Sequence, residues 1–169
     1  MKKINDKQQG LFKEIISSPL ADRMRPKTFA EIVGQEHLIN QDGIISRMVA
    51  QNRLASIILW GPPGCGKTTI AKLLSDLIDF KYEPLSAVFS GVADLRKVFE
   101  RAKLRRKDGI RTLLFVDEIH RFNRAQQDSF LPYVEDGTVT LVGATTENPS
   151  FQINSALLSR CQVLVLHRI

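Results

Sequence analysis

Gly61-Pro62-Pro63-Gly64-Cys65-Gly66-Lys67-Thr68 is the stretch from which the rest of the chain can be read. It fits the spacing Gly-x-x-x-x-Gly-Lys-Ser/Thr. Its setting fits too: the apolar run Ile57-Ile58-Leu59-Trp60 enters it and an amphipathic segment leaves it. The glycines let the backbone curl so that successive N–H groups point inward. A helix starting there adds partial positive charge where phosphate groups sit. Lys67 reaches the β- and γ-phosphates of a nucleoside triphosphate, and the Thr68 hydroxyl takes one position on Mg2+. Thr69 follows in the first turn of the helix. A glycine-rich turn that merely joins a strand to a helix would need neither the Lys-Thr pair nor this context.

Outward from the loop, strand-like apolar runs at 55–60, 82–87, 112–116, 139–144 and 163–166 alternate with helix-period segments. Residues 68–79 place Ile70, Leu73, Leu74, Leu77 and Ile78 on one helical face, and 93–105 do the same with Leu95, Val98, Phe99 and Ala102. A third helix is expected over 124–135, where Pro132 kinks it or ends it early, and a short one over 155–159. This alternation is that of a parallel sheet built from βαβ units. One strand runs Leu113-Leu114-Phe115-Val116 into Asp117-Glu118, two carboxylates at the edge where open parallel sheets bind ligands. Asp117 is expected to hold the metal shell and Glu118 to polarise the attacking water.

The chain has 169 residues, with 24 Lys+Arg against 18 Asp+Glu, a formal charge of +6. Its 43% hydrophobic and 25% charged residues supply one globular core and exclude a wholly disordered or collagen-like chain. No apolar run approaches the roughly 20 residues that span a bilayer. The start, Met1 to Gln9, has no apolar leader segment. A cytoplasmic protein is expected. Cys65 and Cys161 lack partners at metal-ligand spacing, and His120, beside the carboxylate pair, is read as a structural or coupling residue. Residues 1–18 read as a mobile arm and 19–169 as the folded body.

Beyond fold class, Asp117-Glu118-Ile119-His120-Arg121-Phe122-Asn123, then Gln126-Gln127-Asp128, then Gly143-Ala144-Thr145-Thr146-Glu147-Asn148-Pro149-Ser150-Phe151 resemble AAA+ ATPases of the replication-associated recombination protein A family. These are relatives of clamp loaders and of the RuvB motor. Leu20 to Lys27 and Ile32-Val33-Gly34-Gln35 match as well, so the resemblance spans about Pro19 to Ile169. It implies a three-layer P-loop NTPase subdomain with a five-stranded parallel sheet in the order 5-1-4-3-2. ATP would bind through Gly61, Pro62, Pro63, Gly64, Cys65, Gly66, Lys67, Thr68 and Thr69. Ile32 and Val33 would sandwich the adenine. Thr68 and Asp117 would hold Mg2+, with Glu118 activating water. Thr145 matches the first sensor, with Thr146 and Asn148 as the neighbouring registers. Ser159-Arg160-Cys161 is similar to the clamp-loader motif whose arginine reaches the next subunit's nucleotide. Ser86 lies near the position where relatives place a polar residue that restrains the catalytic glutamate.

The function implied is ATP hydrolysis that remodels single-stranded or forked DNA at stalled or damaged replication forks. Family members continue into a helical lid and a C-terminal oligomerisation domain, so a homo-oligomer is implied, with weakened turnover in a chain ending at Ile169. Gln8-Gln9-Gly10-Leu11-Phe12 is similar to the bacterial sliding-clamp-binding pattern, and a single-stranded-DNA-binding protein is a second possible partner. Two other readings stay open. One is a clamp-loader subunit or RuvB-like motor; the other is a nucleotide-gated interaction module with little turnover. The basic run Arg101, Lys103, Arg105, Arg106, Lys107 reads first as a solvated face.

Overall fold

The computed structural model describes residues 20–169, apart from the side chains of 21 and 22. The arm expected over 1–18, with its Gln8–Phe12 motif, lies outside the described residues. Helix α1 (Leu20–Arg23), a 3-10 turn (Phe29–Glu31), α2 (Glu36–Ile39) and α3 (Ile44–Ala50) precede β1 (Ile57–Trp60). Then come α4 (Lys67–Leu77), β2 (Lys81–Ser86), α5 (Val92–Lys107), β3 (Thr112–Asp117) and a 3-10 turn (Ile119–Arg121). The chain continues through α6 (Arg124–Asp128), α7 (Leu131–Glu135), β4 (Thr140–Thr145), α8 (Pro149–Gln152), α9 (Ser155–Leu158) and β5 (Gln162–Val165).

Every strand pairs in parallel, in the order β2-β3-β4-β1-β5, the order expected. Side chains alternate between the sheet's faces. Ile57 and Leu59 of β1 and Leu113 and Phe115 of β3 join a core with Ile45, Ile70 and Leu74. Ile58, Leu114 and Val116 join a second core with Leu95, Val98, Phe99 and Phe130. A sheet covered on both faces explains why β3 reads as a continuous apolar run.

Strand ends differ from the apolar runs because the hydrogen-bond ladder, and not hydrophobicity, sets them. Lys81 pairs with Thr112, and Thr145 pairs with Trp60. Thus β2 and β5 begin one residue early, β4 begins one residue late, and β1 is shorter than 55–60. The helix expected over 124–135 is two helices. Asn123 caps the first: its Oδ1 accepts the Gln126 N–H at 2.8 Å, while Gln126 Oε1 accepts the Asn123 N–H at 2.9 Å. Pro132 sits in the first turn of the second, where its missing donor costs nothing.

Candidate active site

The phosphate loop leaves β1 and enters α4 through two glycines with left-handed backbone, Gly64 at φ +76° and Gly66 at φ +99°. A Cβ at either would find open space, so backbone conformation alone reserves these positions for glycine. The first backbone acceptor taken in α4 is the Gly66 carbonyl, by the Ile70 N–H at 2.9 Å. Among the described residues, the amides of Gly64, Cys65, Gly66, Lys67, Thr68 and Thr69 take no backbone acceptor. A row of free donors at a helix N-terminus fits a triphosphate.

Lys67 is buried, and its Nζ donates to the carbonyls of Gly61 at 2.7 Å and Pro62 at 2.8 Å. Those bonds hold the ammonium at the mouth of the loop. Gly61 is closed in by the Cys65 Sγ and by Leu166, so a Cβ there would come within 2.8 Å of the sulfur. Cys65 is accordingly a packing residue beneath the loop, with the Lys67 Nζ 3.7 Å from its sulfur.

Pro63, Gly64, Gly66, Lys67, Thr68 and Thr69 line a cavity of about 350 Å3 with Asp117, Glu118 and Thr146. Residues from β1, β3 and β4 and their following loops therefore converge at the C-terminal edge of the sheet, where ligands of open α/β sheets bind. The Thr68 hydroxyl and the Asp117 carboxylate on this wall are hard oxygen donors of the kind that suits magnesium held largely by phosphate and water. Thr68 and Asp117 also line an adjoining cavity of about 500 Å3 with Ser86 and Tyr82. Burial pushes the Tyr82 phenol up to about 12.

Thr145, Asn148, Ile32, Val33 and Arg160 lie off the cavity wall. Thr145 is fully buried, its hydroxyl 2.7 Å from His120 Nδ1, so the threonine on the cavity wall is Thr146. Asn148, the third register, caps α8 by accepting the Ser150 N–H at 3.0 Å. Ile32 packs into the core with Cys65 while Val33 is exposed, and neither lines the cavity. Arg160 is also off the cavity wall, paired with Glu135 and donating to the Ala156 carbonyl at 2.8 Å. The Glu118 carboxylate faces the His120 ring, whose Nε2 lies 3.2 Å from Oε2.

Residues 57–168 match the ATPase family associated with various cellular activities, AAA. The chain belongs to this AAA family. It is 52% identical over 155 residues to replication-associated recombination protein A of Escherichia coli strain K12, covering 92% of this chain and 35% of that protein. The same protein of Coxiella burnetii is 55% identical over 151 residues, covering 89% and 34% respectively. ATPase WRNIP1 of Dictyostelium discoideum is 46% identical over 158 residues, covering 94% and 18%. Among solved structures, the Thermotoga maritima RuvB Holliday junction branch migration motor superposes with a TM-score of 0.68 at 30% identity, covering 86% of this chain and 48% of that one. The AAA chain spans about 35% of the length of the Escherichia coli relative. The likeness read from the strings at 117–123 and 143–151 is matched by identity along most of the chain.

The structure also supplies a residue that sequence reasoning missed. Fully buried Gln35 donates its amide to the Cys65 carbonyl at 3.3 Å and the His167 carbonyl at 2.7 Å, and accepts the His167 N–H at 2.9 Å. It fastens the 32–35 turn and residues 166–168 to the phosphate loop. A polar residue in an otherwise apolar-rich turn was the available signal.

Proposed function

We propose that this AAA chain binds Mg·ATP in the cavity between Gly64–Thr69 and Asp117–Glu118 and hydrolyses it to drive DNA remodelling at stalled or damaged replication forks. The observation that carries the nucleotide reading is the row of free amides facing two adjacent carboxylates across one cavity. The free amides and Lys67 hold the β- and γ-phosphates. Thr68 and Asp117 hold magnesium, which when bound neutralises charge on the phosphate oxygens. Glu118 orients the attacking water and takes up its proton as the Pγ–O bond to ADP breaks. Thr146 faces the terminal phosphate, and Arg160 acts on a neighbouring subunit's site. The names of the relatives support DNA as the partner and recombination as the setting. Homo-oligomerisation, a sliding clamp bound through Gln8–Phe12, a single-stranded-DNA-binding protein and a cytoplasmic site belong to the same proposal. Among the described residues, no helix is long and apolar enough to cross a membrane.

Lys67→Ala is expected to lower ATP affinity at least tenfold by calorimetry, and undiminished binding would remove the nucleotide reading. Glu118→Gln is expected to keep binding and lose hydrolysis by about 10²-fold or more. Normal turnover would assign water activation to another group. The RuvB superposition favours a second reading, a branch-migration motor. Movement of a four-way DNA junction by the longer protein, dependent on ATP, would decide for it.

A further inference from the structure

We propose that His120 is a positioning residue: its Nε2–H holds the Glu118 carboxylate while its Nδ1 ties that hold to Thr145, so the end of β4 sets where Glu118 points. The inference rests on the nucleotide reading for its meaning, and for its substance on the two contacts of the His120 ring, Nδ1 with the Thr145 hydroxyl at 2.7 Å and Nε2 with Glu118 Oε2 at 3.2 Å.

Thr145 Oγ1 accepts the Glu147 N–H at 3.0 Å. The hydroxyl proton has two acceptors within reach, His120 Nδ1 at 2.7 Å and the Glu147 carbonyl at 3.3 Å. The shorter bond makes Nδ1 the acceptor, which leaves the proton of a neutral ring on Nε2. Nε2 lies 3.2 Å from Glu118 Oε2. Donors therefore run in one direction, from the Glu147 amide through Thr145 to His120, whose Nε2 then faces the carboxylate at 3.2 Å. The opposite tautomer would set a lone pair against the carboxylate and send the threonine proton to its poorer acceptor.

The turn that carries the ring is also seated. Ile119 is fully buried, and its Cδ1 comes within 3.1 Å of where a Cβ on Gly143 would stand. That close approach seats the Ile119–Arg121 turn on β4. Glu118 itself adopts φ +53°, a left-handed conformation uncommon outside glycine and found at functional sites where surrounding bonds enforce it. Thr146 faces the cavity and Thr145, just before it at the end of β4, faces His120. A ligand that draws on Thr146 thus moves the group that holds the ring. Thr145, read from sequence as the sensor, acts on Glu118 through His120.

The chain has 3 histidines, so the ring nitrogens of His120 can be assigned by nitrogen NMR with single substitutions. The expected result is unprotonated Nδ1 and protonated Nε2. Thr145→Val and Glu118→Gln should each shift the His120 nitrogens and leave His37 and His167 unmoved. A neutral ring protonated at Nδ1, or one indifferent to both substitutions, overturns the proposal. In hydrolysis assays, His120→Ala should lower kcat about 10- to 100-fold with the Mg·ATP dissociation constant within about twofold. His120→Gln, which keeps a donor, should recover part of the loss. Unchanged kcat in His120→Ala overturns the positioning role. If Lys67→Ala retained ATP binding, the nucleotide reading would fail while the ring nitrogens still tested the hydrogen-bond chain, so the two failures are separable.

Discussion

Glu83, on β2, lies between two guanidinium groups of α5, with Arg105 Nη1 at 2.8 Å and Arg101 on its other oxygen. Burial pushes its carboxyl up, but the hydrogen bonds from Arg101 and Arg105 outweigh this and hold it below the ordinary value of 4.5. A carboxyl lowered in the folded state stabilises fully above its unfolded pKa, and that contribution is lost as pH falls through the folded one. Glu83→Gln is therefore expected to cost about 1 kcal/mol at pH 7, a modest figure because Arg101 is half exposed. The difference should shrink in denaturant titrations as the pH is taken from 7 to well below 4.5, and a constant difference across that range would deny the ionic contribution. The same pairing gives partners to the basic run, which stays largely exposed as expected. Arg101 and Arg105 are held by Glu83, Arg106 meets Asp136 at 3.7 Å, and Lys103 lies over the Tyr133 ring at 5.0 Å. Spacing along α5 shows charge on one face, but acceptors on β2 and α7 are invisible to it. The register at Thr145 and Thr146 was closed to sequence for a related reason. Alternation in a strand assigns faces, and at a strand end the ladder stops, so only the fold shows which hydroxyl meets the cavity.

Element by element, the phosphate-loop strand and helix, the carboxylate strand and the crossover helix were legible because each carries a period long enough to read. Helices α2, α8 and α9 are four residues each and have no such period, and of these only α9 was expected, as the short helix over 155–159. Caps hold the last two: Asn148 accepts the Ser150 N–H at 3.0 Å, and Asn154 accepts the Leu157 N–H at 2.8 Å. The break within 124–135 follows from the same local chemistry, since Pro132 suits a first turn and its residue types leave the restart point open. The junction of β4 with the Ile119–Arg121 turn depends on Gly143, where an added Cβ would come within 2.8 Å of Ile58 Cδ1 and 3.1 Å of Ile119 Cδ1. Gly143→Ala is expected to cost about 1–3 kcal/mol by overpacking. Because Ile119 precedes His120, the substitution should also move the His120 ring signals. Stability lost with the ring signals unmoved would mean that the sheet absorbs the methyl and the turn does not.

For the whole molecule, the decisive fact is that one chain gathers residues 63–64 and 66–69 with the Asp117-Glu118 carboxylates on one cavity but keeps Arg160 off its wall, paired with Glu135. Charge that develops in phosphoryl transfer is stabilised by an arginine in comparable enzymes by about 10³–10⁵ in rate. If Arg160 fills that role, a second chain must deliver it, and the ion pair with Glu135 must open when it does. That pair is half exposed on both sides, so opening it costs no more than about 1 kcal/mol. The test is complementation in a form of the protein that turns over ATP. Lys67→Ala chains lack a working nucleotide site but retain Arg160, and Arg160→Ala chains retain the site but lack the arginine. Each alone should hydrolyse ATP at least about 10²-fold more slowly than wild type. Mixed at micromolar concentration, they should regain a measurable fraction of wild-type rate, rising with total protein, because an Arg160→Ala cavity then meets an intact arginine. A mixture no faster than the sum of its parts, together with a specific rate independent of concentration, would place Arg160 in a single-chain role at the end of α9.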